Sequence, residues 1–273
     1  MANKTVKAVV LARGLGTRMR QDAAGAALDP DQARAADAGI KAMIPVGRAF
    51  LDYVLSALAD AGYRQVCLVI GPEHEAIRRY YTETCRPRRV TVQFAIQERP
   101  LGTADAVAAA EVFAAEDLFL VINSDNYYPA EVCRALRELE GPGLAAFECE
   151  SLVGDSNIPD ERVRQYAILE IDGDGYLQRI IEKPDQASFA SMGPEIFVSM
   201  NCWLFGPAIF RACRNIRPSP RGELELADAV QVAVSSLGER FKALKLRAGV
   251  LDLSRRSDVA EVARRLRDVE VRL

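Results

Sequence analysis

One histidine, His74, stands in 273 residues. A histidine-rich metal site is excluded, and any Ser-His-Asp triad or paired-histidine chemistry would rest on that single ring. Charge of one sign is missing too: 35 basic side chains face 38 acidic ones, a formal net charge of −3. With no global basic field, nucleic acid is not an expected partner, and anionic ligands need a local site. The clusters Arg86-Pro87-Arg88-Arg89 and Arg264-Arg265 read as solvated faces. The longest apolar runs are about five or six residues, far short of a membrane span, so no membrane partner is expected. Lys4 and Lys7 interrupt the N-terminal apolar stretch, and no signal peptide is read there. None of the six cysteines is in C-x-x-C spacing. They read as reduced, mostly buried thiols of a cytoplasmic protein rather than a disulfide or metal framework.

What is present is a chain that can bury a large core, 49% apolar and 27% charged. At roughly 150 residues per domain it makes one large domain. Val6–Ala12, Gln65–Ile70, Val90–Ile96 and Leu118–Asn123 read as strands. Between and after them Phe50–Ala61, Glu73–Tyr81, Thr103–Ala115 and Pro129–Glu140 read as helices, with Gly62 as a C-cap and Pro129 in a first turn. This βα alternation predicts an α/β, Rossmann-like, mostly parallel sheet with helices on both faces. From about residue 143 the character changes. Leu144–Glu150, Tyr166–Ile171, Gln178–Ile181 and Ile196–Phe205 read as strands, with a hairpin signal at Asp172-Gly173-Asp174-Gly175. Glu223–Leu237 and Arg256–Val269 read as helices. The single domain 1–273 thus has two parts, 1–142 and 143–273. The low-complexity stretch Asp22–Gly39 reads either as a solvated loop with a short helix or as a mobile flap.

The first strand runs into Leu11-Ala12-Arg13-Gly14-Leu15-Gly16-Thr17-Arg18. Glycines after a buried strand let backbone N–H groups converge on phosphate oxygens, and Arg18 adds an always-charged donor fork. Met19 stands where G-x-G-x-x-G would need its third glycine, which argues against a dinucleotide fingerprint, and G-x-x-x-x-G-K-[ST] is absent. An NAD(P) oxidoreductase would also want an acidic residue after the second strand, where Gly71-Pro72 stands.

Further motifs follow in order: Lys41-Ala42-Met43-Ile44-Pro45-Val46, Gln97 with Gly102-Thr103-Ala104, Asn123-Ser124-Asp125-Asn126, Glu182-Lys183-Pro184, and the stretch from Pro218 to Asp228. Together they resemble the sugar-1-phosphate nucleotidyltransferases, the thymidylyltransferase branch above all, from Val9 to about Asp252. The resemblance implies a nucleotidyltransferase type A-like fold, with nucleotide binding in 1–142 and a smaller mixed-β sugar-phosphate part in 143–273. It implies attack of a sugar 1-phosphate oxygen on the α-phosphorus of a nucleoside triphosphate, with loss of pyrophosphate. That nucleophile is already an anion, so no general base is needed, which suits a chain with one histidine. The resemblance gives Arg18 and Lys41 catalytic roles on the reacting phosphates, and Asp125 and Asp252 as ligands of Mg²⁺. Leu11, Ala12, Arg13, Gly14, Gly16, Thr17, Gln97, Gly102 and Thr103 would bind the nucleotide. Ala167, Glu182, Lys183, Asn201 and Glu223 would bind the sugar phosphate.

The sequence departs from the pattern in three places. Tyr166-Ala167 replaces a common Tyr-Gly, Leu251 and Ser254-Arg255-Arg256 surround Asp252 where a Trp and a Gly-Thr are expected, and Arg13 stands where Ala or Gly is usual. The Gln97 amide offers acceptor and donor together, which matches the N3–H and carbonyl edge of uracil or thymine and favours UTP or dTTP. The alternatives are a CTP- or GTP-using transferase acting on an unusual phosphate, or an inactive regulatory homologue. The second is disfavoured because Arg18 and Lys41 are both retained. Members of the family often assemble, so a homo-oligomer is an open expectation.

Overall fold

The computed structural model describes residues 4–21, 28–185, 187, 189 and 195–273. Its first strand, β1 (Lys7–Leu11), is apolar on both sides. Ala8 and Val10 join one buried cluster while Val9 and Leu11 join the other, so each strand face is covered. β2 (Gln65–Ile70) and β4 (Phe119–Asn123) run parallel to β1 on its two sides, and β3 (Thr91–Ile96) runs parallel to β2. The registers set Leu11 opposite Asn123 and Val69, and Ile70 opposite Ile96. Four carboxyl ends therefore open on one edge, where open α/β sheets hold their ligands.

The second half continues the same sheet. β6 (Gly143–Glu148), β9 (Phe197–Phe205) and β10 (Lys242–Leu246) extend it, in the order β10-β6-β9-β4-β1-β2-β3. β9 is antiparallel to both β4 and β6, and β10 is parallel to β6. A hairpin of β7 (Ile168–Ile171) and β8 (Leu177–Ile181) attaches to β9 through Ile168 and Val198. A separate two-stranded ribbon pairs β5 (Asn126–Tyr127) with β11 (Leu251–Asp252), setting Asp252 opposite Asn126.

Several boundaries differ from the sequence reading. The helix expected over Thr103–Ala115 breaks at Ala110 into Thr103–Ala109 and Glu111–Ala114. The Glu73 helix runs over Glu75–Arg79 and widens into a π turn at Tyr80–Thr84. There Tyr80 and Tyr81 donate to the buried Asp52 carboxylate at 2.8 and 2.9 Å. The strand expected to reach Glu150 stops at Glu148, and a helix begins at Cys149. Helix 223–237 starts at Leu226, and helix 256–269 spans Asp258–Leu266. All six cysteines are free thiols, and five are buried.

In the low-complexity stretch, Pro30–Ala38 is a helix closed by an Asp29–Gln32 capping box and a left-handed Gly39. Gln32 donates to the Pro45 carbonyl at 2.9 Å and Asp37 pairs with Arg256, so this helix is docked. Residues 22–27, and with them the rest of the flap reading, lie outside the described residues. No helix among the described residues is long and apolar enough to cross a membrane.

Candidate active site

A cavity of about 330 Å³ opens at the carboxyl edge of β1, β3 and β4. Its wall includes Leu11 at the end of β1, Ala12, Arg13 and Gly14 from the turn that follows, and Thr17 at the start of the short helix Thr17–Gln21. Lys41, Gln97, Gly102, Thr103, Asp125 and Glu223 complete the expected residues found there. Gly16 in the turn and Arg18 in the helix after it are not part of the cavity wall. Gly16 has φ +61° and lies so close to Gly39 that a Cβ would come 2.4 Å from the Gly39 carbonyl oxygen.

Lys41 reaches across to Asp125, with Nζ 2.9 Å from Oδ2 and both side chains largely buried. Burial works against the lysine's charge, but the Asp125 carboxylate outweighs it, and the net effect raises its pKa. Arg18 pushes the other way, as a neighbouring cation. It has no hydrogen bond or ion pair among the described residues. Two fixed cations beside one carboxylate form a site suited to a polyanion.

Asp252 arrives beside Asp125 because the ribbon carries it there. The Leu253 N–H donates to the Asp125 carbonyl at 2.8 Å. Its carboxylate is held on every side. Oδ1 accepts from Asn126 Nδ2 at 2.9 Å and Ser254 Oγ at 2.8 Å, and Oδ2 accepts from Arg162 Nη1 at 2.7 Å. Arg162 also grips Asp258, at 2.8 and 3.1 Å. Burial first, and then the Asp125 charge, push the Asp252 carboxyl up to about 6, against the pull of Ser254 and Arg162. Two neighbouring carboxylates, Asp125 at the cavity wall and Asp252 buried beside it, are donors of the kind a hard dication takes. Among the described residues no cluster of three or more His, Cys, Asp or Glu forms a cage. A metal here would draw its remaining oxygens from substrate and water.

Gln97 is 4% exposed and differs from the sequence reading in what it offers. Its Nε2 donates to the Gly102 carbonyl at 3.0 Å and to Asp105 Oδ2 at 2.8 Å. Both amide hydrogens are committed, and only Oε1 remains as an acceptor. Thr103 is similarly engaged: its hydroxyl accepts the Leu226 N–H at 2.9 Å, at the start of helix Leu226–Leu237. Gly102, at φ +121°, lies against Leu224, whose carbonyl also accepts the Ala104 N–H at 2.9 Å.

Four of the five expected sugar-phosphate residues gather at one end of the β7–β8–β9 group, while Glu223 stands in the cavity wall. Ile168 pairs with both Ile181 and Val198, which brings Ala167 beside the strand carrying Asn201 and beside Glu182 and Lys183 after β8. Lys183 and Asn201 have φ of +45° and +56°, two of the four non-glycine residues in the left-handed region among the described residues. Such a conformation costs about 1–3 kcal/mol and collects at functional sites. Ala167, Glu182, Lys183, Asn201 and Asp252 lie outside the wall of the 330 Å³ cavity. Sequence reasoning missed Arg162 and Asn157, which reach Asp252 from 90 and 95 residues away in the chain, and it gave no role to Ser254 beside Asp252 or to Asp105 behind Gln97.

The nucleotidyl transferase family profile matches residues 36–267. The chain is 29% identical to a UTP–glucose-1-phosphate uridylyltransferase of Haloferax volcanii over 265 residues, covering 96% of this chain and 97% of that one. It is 29% identical to a glucose-1-phosphate thymidylyltransferase of Streptomyces antibioticus, covering 98% of this chain and 68% of that one. Among solved structures, a UDP-glucose pyrophosphorylase complexed with UDP-glucose superposes with a TM-score of 0.71 at 17% identity, over 97% of this chain and 99% of that one. The UTP-bound enzyme of Acinetobacter baumannii gives 0.72 at 19%, over 97% and 95%. At those identities the superpositions speak for the fold. With the profile spanning most of the chain, the protein belongs to the nucleotidyl transferase family.

Proposed function

We propose that the protein joins a sugar 1-phosphate to UTP or dTTP, giving a nucleoside-diphosphate sugar and pyrophosphate. The observation that carries this reading is one cavity walled by the turn after β1, by Lys41 and by Asp125. The names of relatives that act on glucose 1-phosphate with UTP, or that transfer a thymidylyl group to it, support the same reaction class.

An oxygen of the sugar phosphate forms a bond to the α-phosphorus, and the bond from that phosphorus to the β-phosphate bridge oxygen breaks. Pyrophosphate leaves with the electron pair. Arg18 and Lys41 hold the triphosphate and offset charge on the leaving group. Mg²⁺ held by Asp125 and Asp252 would supply charge neutralisation on the phosphates. Lys41 also pairs with Asp125, which ties the phosphate-holding cation to the carboxylate beside it. Lys183 and Glu182 would hold the phosphate and a hydroxyl of the sugar.

Pyrophosphate release measured across UTP, dTTP, CTP, GTP and ATP against several hexose 1-phosphates tests this reading. Turnover with a uracil or thymine nucleotide and a sugar 1-phosphate is expected, lost in excess chelator. No release with any pair would overturn the assignment, and full activity in chelator would overturn the metal role of Asp125 and Asp252.

A further inference from the structure

We propose that Arg13 reads the nucleobase, donating to a carbonyl of a uracil-type ring the hydrogen bond that Gln97 cannot supply. The proposal rests on the reading of the 330 Å³ cavity as a nucleoside triphosphate site.

Arg13 follows β1 by two residues and lines that cavity, yet its side chain is only 6% exposed. One edge of the guanidinium is taken: Nε and Nη2 donate to Glu73 Oε1 and Oε2 at 3.2 and 3.3 Å. The remaining nitrogen, Nη1, is buried with no hydrogen-bond partner. A desolvated cationic donor without an acceptor is costly, and a ligand that brings an acceptor relieves the cost.

The neighbours place this donor at the base end of the cavity. A Cβ on Gly71 would stand 2.5 Å from Arg13 Nε, so the guanidinium lies over the carboxyl end of β2. Gln97 is next to it, its backbone N–H bonded to the Ile70 carbonyl at 2.9 Å. Lys41 and Asp125 lie over β4, on the opposite side of β1. Phosphate groups belong with those charges and with Thr17, which leaves the β2–β3 side for the ring.

There the chemistry is complementary. Gln97 presents only Oε1, because Gly102 and Asp105 hold both hydrogens of its amide. That oxygen accepts a ring N–H. Uracil and thymine place a carbonyl beside that N–H, and Arg13 Nη1 is the unspent donor on the same side of the cavity. Cytosine in the same pose would present a ring nitrogen acceptor to Oε1, a repulsive contact, and where Arg13 faces the C4 side it would present an amino donor to the guanidinium as well.

The test is equilibrium binding of UTP, dTTP, CTP and ATP to the wild type and to Arg13→Met, without sugar phosphate. The substitution should weaken UTP and dTTP by roughly 10- to 100-fold, with a much smaller change for CTP and ATP. A second measurement needs no variant. Thio substitution at either uracil carbonyl weakens its acceptor, so 2-thio-UTP or 4-thio-UTP should bind the wild type more weakly than UTP. Arg13→Met should not distinguish that analogue from UTP. Equal weakening of all four triphosphates would mean a phosphate contact and overturn the proposal. So would a wild type that binds both thio analogues as well as UTP, or one that prefers CTP. Failure of the nucleotidyl-transfer reading would look different: no pyrophosphate release with any sugar 1-phosphate while this binding pattern holds.

Discussion

Asp252 is a carboxylate pulled two ways. Three donors hold its oxygens, which favours the charge, while burial and the Asp125 carboxylate oppose it more strongly. Its pKa in the fold, about 6, lies above the 3.8 of an ordinary aspartate. The folded protein therefore binds this proton more tightly than the unfolded chain does. The stability so gained is fully present below about pH 4 and is lost as pH rises through about 6, a change on the order of 1–3 kcal/mol. In chelator, the unfolding free energy of the wild type should carry this fall between pH 4 and 7, and Asp252→Asn should flatten it. The amide would turn an N–H toward Arg162, so no overall gain in stability is expected from the variant. An unchanged pH dependence in Asp252→Asn, followed by urea unfolding, would show that another group carries the effect. At this scale the sequence was partly legible. Asp125 and Gln97 are recognisable from their neighbours in the chain and their places just after strands, and Lys41 from the motif that follows it. Arg162 is not, because its two partners lie 90 and 96 residues away. Nor does the sequence reveal that Asp105 commits the Gln97 amide.

The turn after β1 gives its two glycines different roles. Gly16 needs its left-handed φ and has the Gly39 backbone against it, whereas a Cβ on Gly14 would meet nothing within 4 Å. A non-glycine residue at Gly16 costs about 1–2 kcal/mol for its conformation alone, before the contact with Gly39 is relieved. Gly16→Ala should therefore lower the melting temperature by several degrees, about 2–4 °C per kcal/mol at this size. Gly14→Ala should leave it within error and weaken triphosphate binding instead, since Gly14 lines the cavity. Equal melting temperatures for the two variants would remove the structural distinction. Among elements, the buried parallel strands were the most legible; Gln65–Ile70 is found with the expected ends. β10 (KALKL) was missed because lysines interrupt its apolar pattern at the edge of the sheet. The break at Ala110 leaves no trace in an alanine-rich stretch, since neither Gly nor Pro marks it. The ribbon of β5 and β11 is two residues on each side, too short for any periodicity to show.

The whole molecule is where the two parts read from the sequence meet, and the sheet joins them. β9 pairs with β4 of the first part and β6 of the second, and Trp203 stands opposite Val121 on one side and Leu144 on the other. The C-terminal segment returns to the first part as well: the Arg272 N–H donates to Ser56 Oγ at 3.0 Å, and Arg89 donates to the Arg272 carbonyl at 3.1 Å. The ribbon adds a third tie, at Asp125 and Asp252 themselves. Neither part can come away without exposing apolar strand faces and breaking a sheet ladder, so we expect one cooperative unfolding step. Trp203 is the sole tryptophan and is 1% exposed, which makes its fluorescence a probe of the junction. Far-UV circular dichroism reports the helices of both parts. In a urea titration the two signals should trace one curve with a common midpoint. A nucleoside triphosphate with Mg²⁺ should move both signals together, by about 2.7 kcal/mol at 100 times its dissociation constant. A fluorescence transition that separates from the dichroism, or a ligand that shifts only one of them, would show that 1–142 and 143–273 unfold as independent units despite the shared sheet.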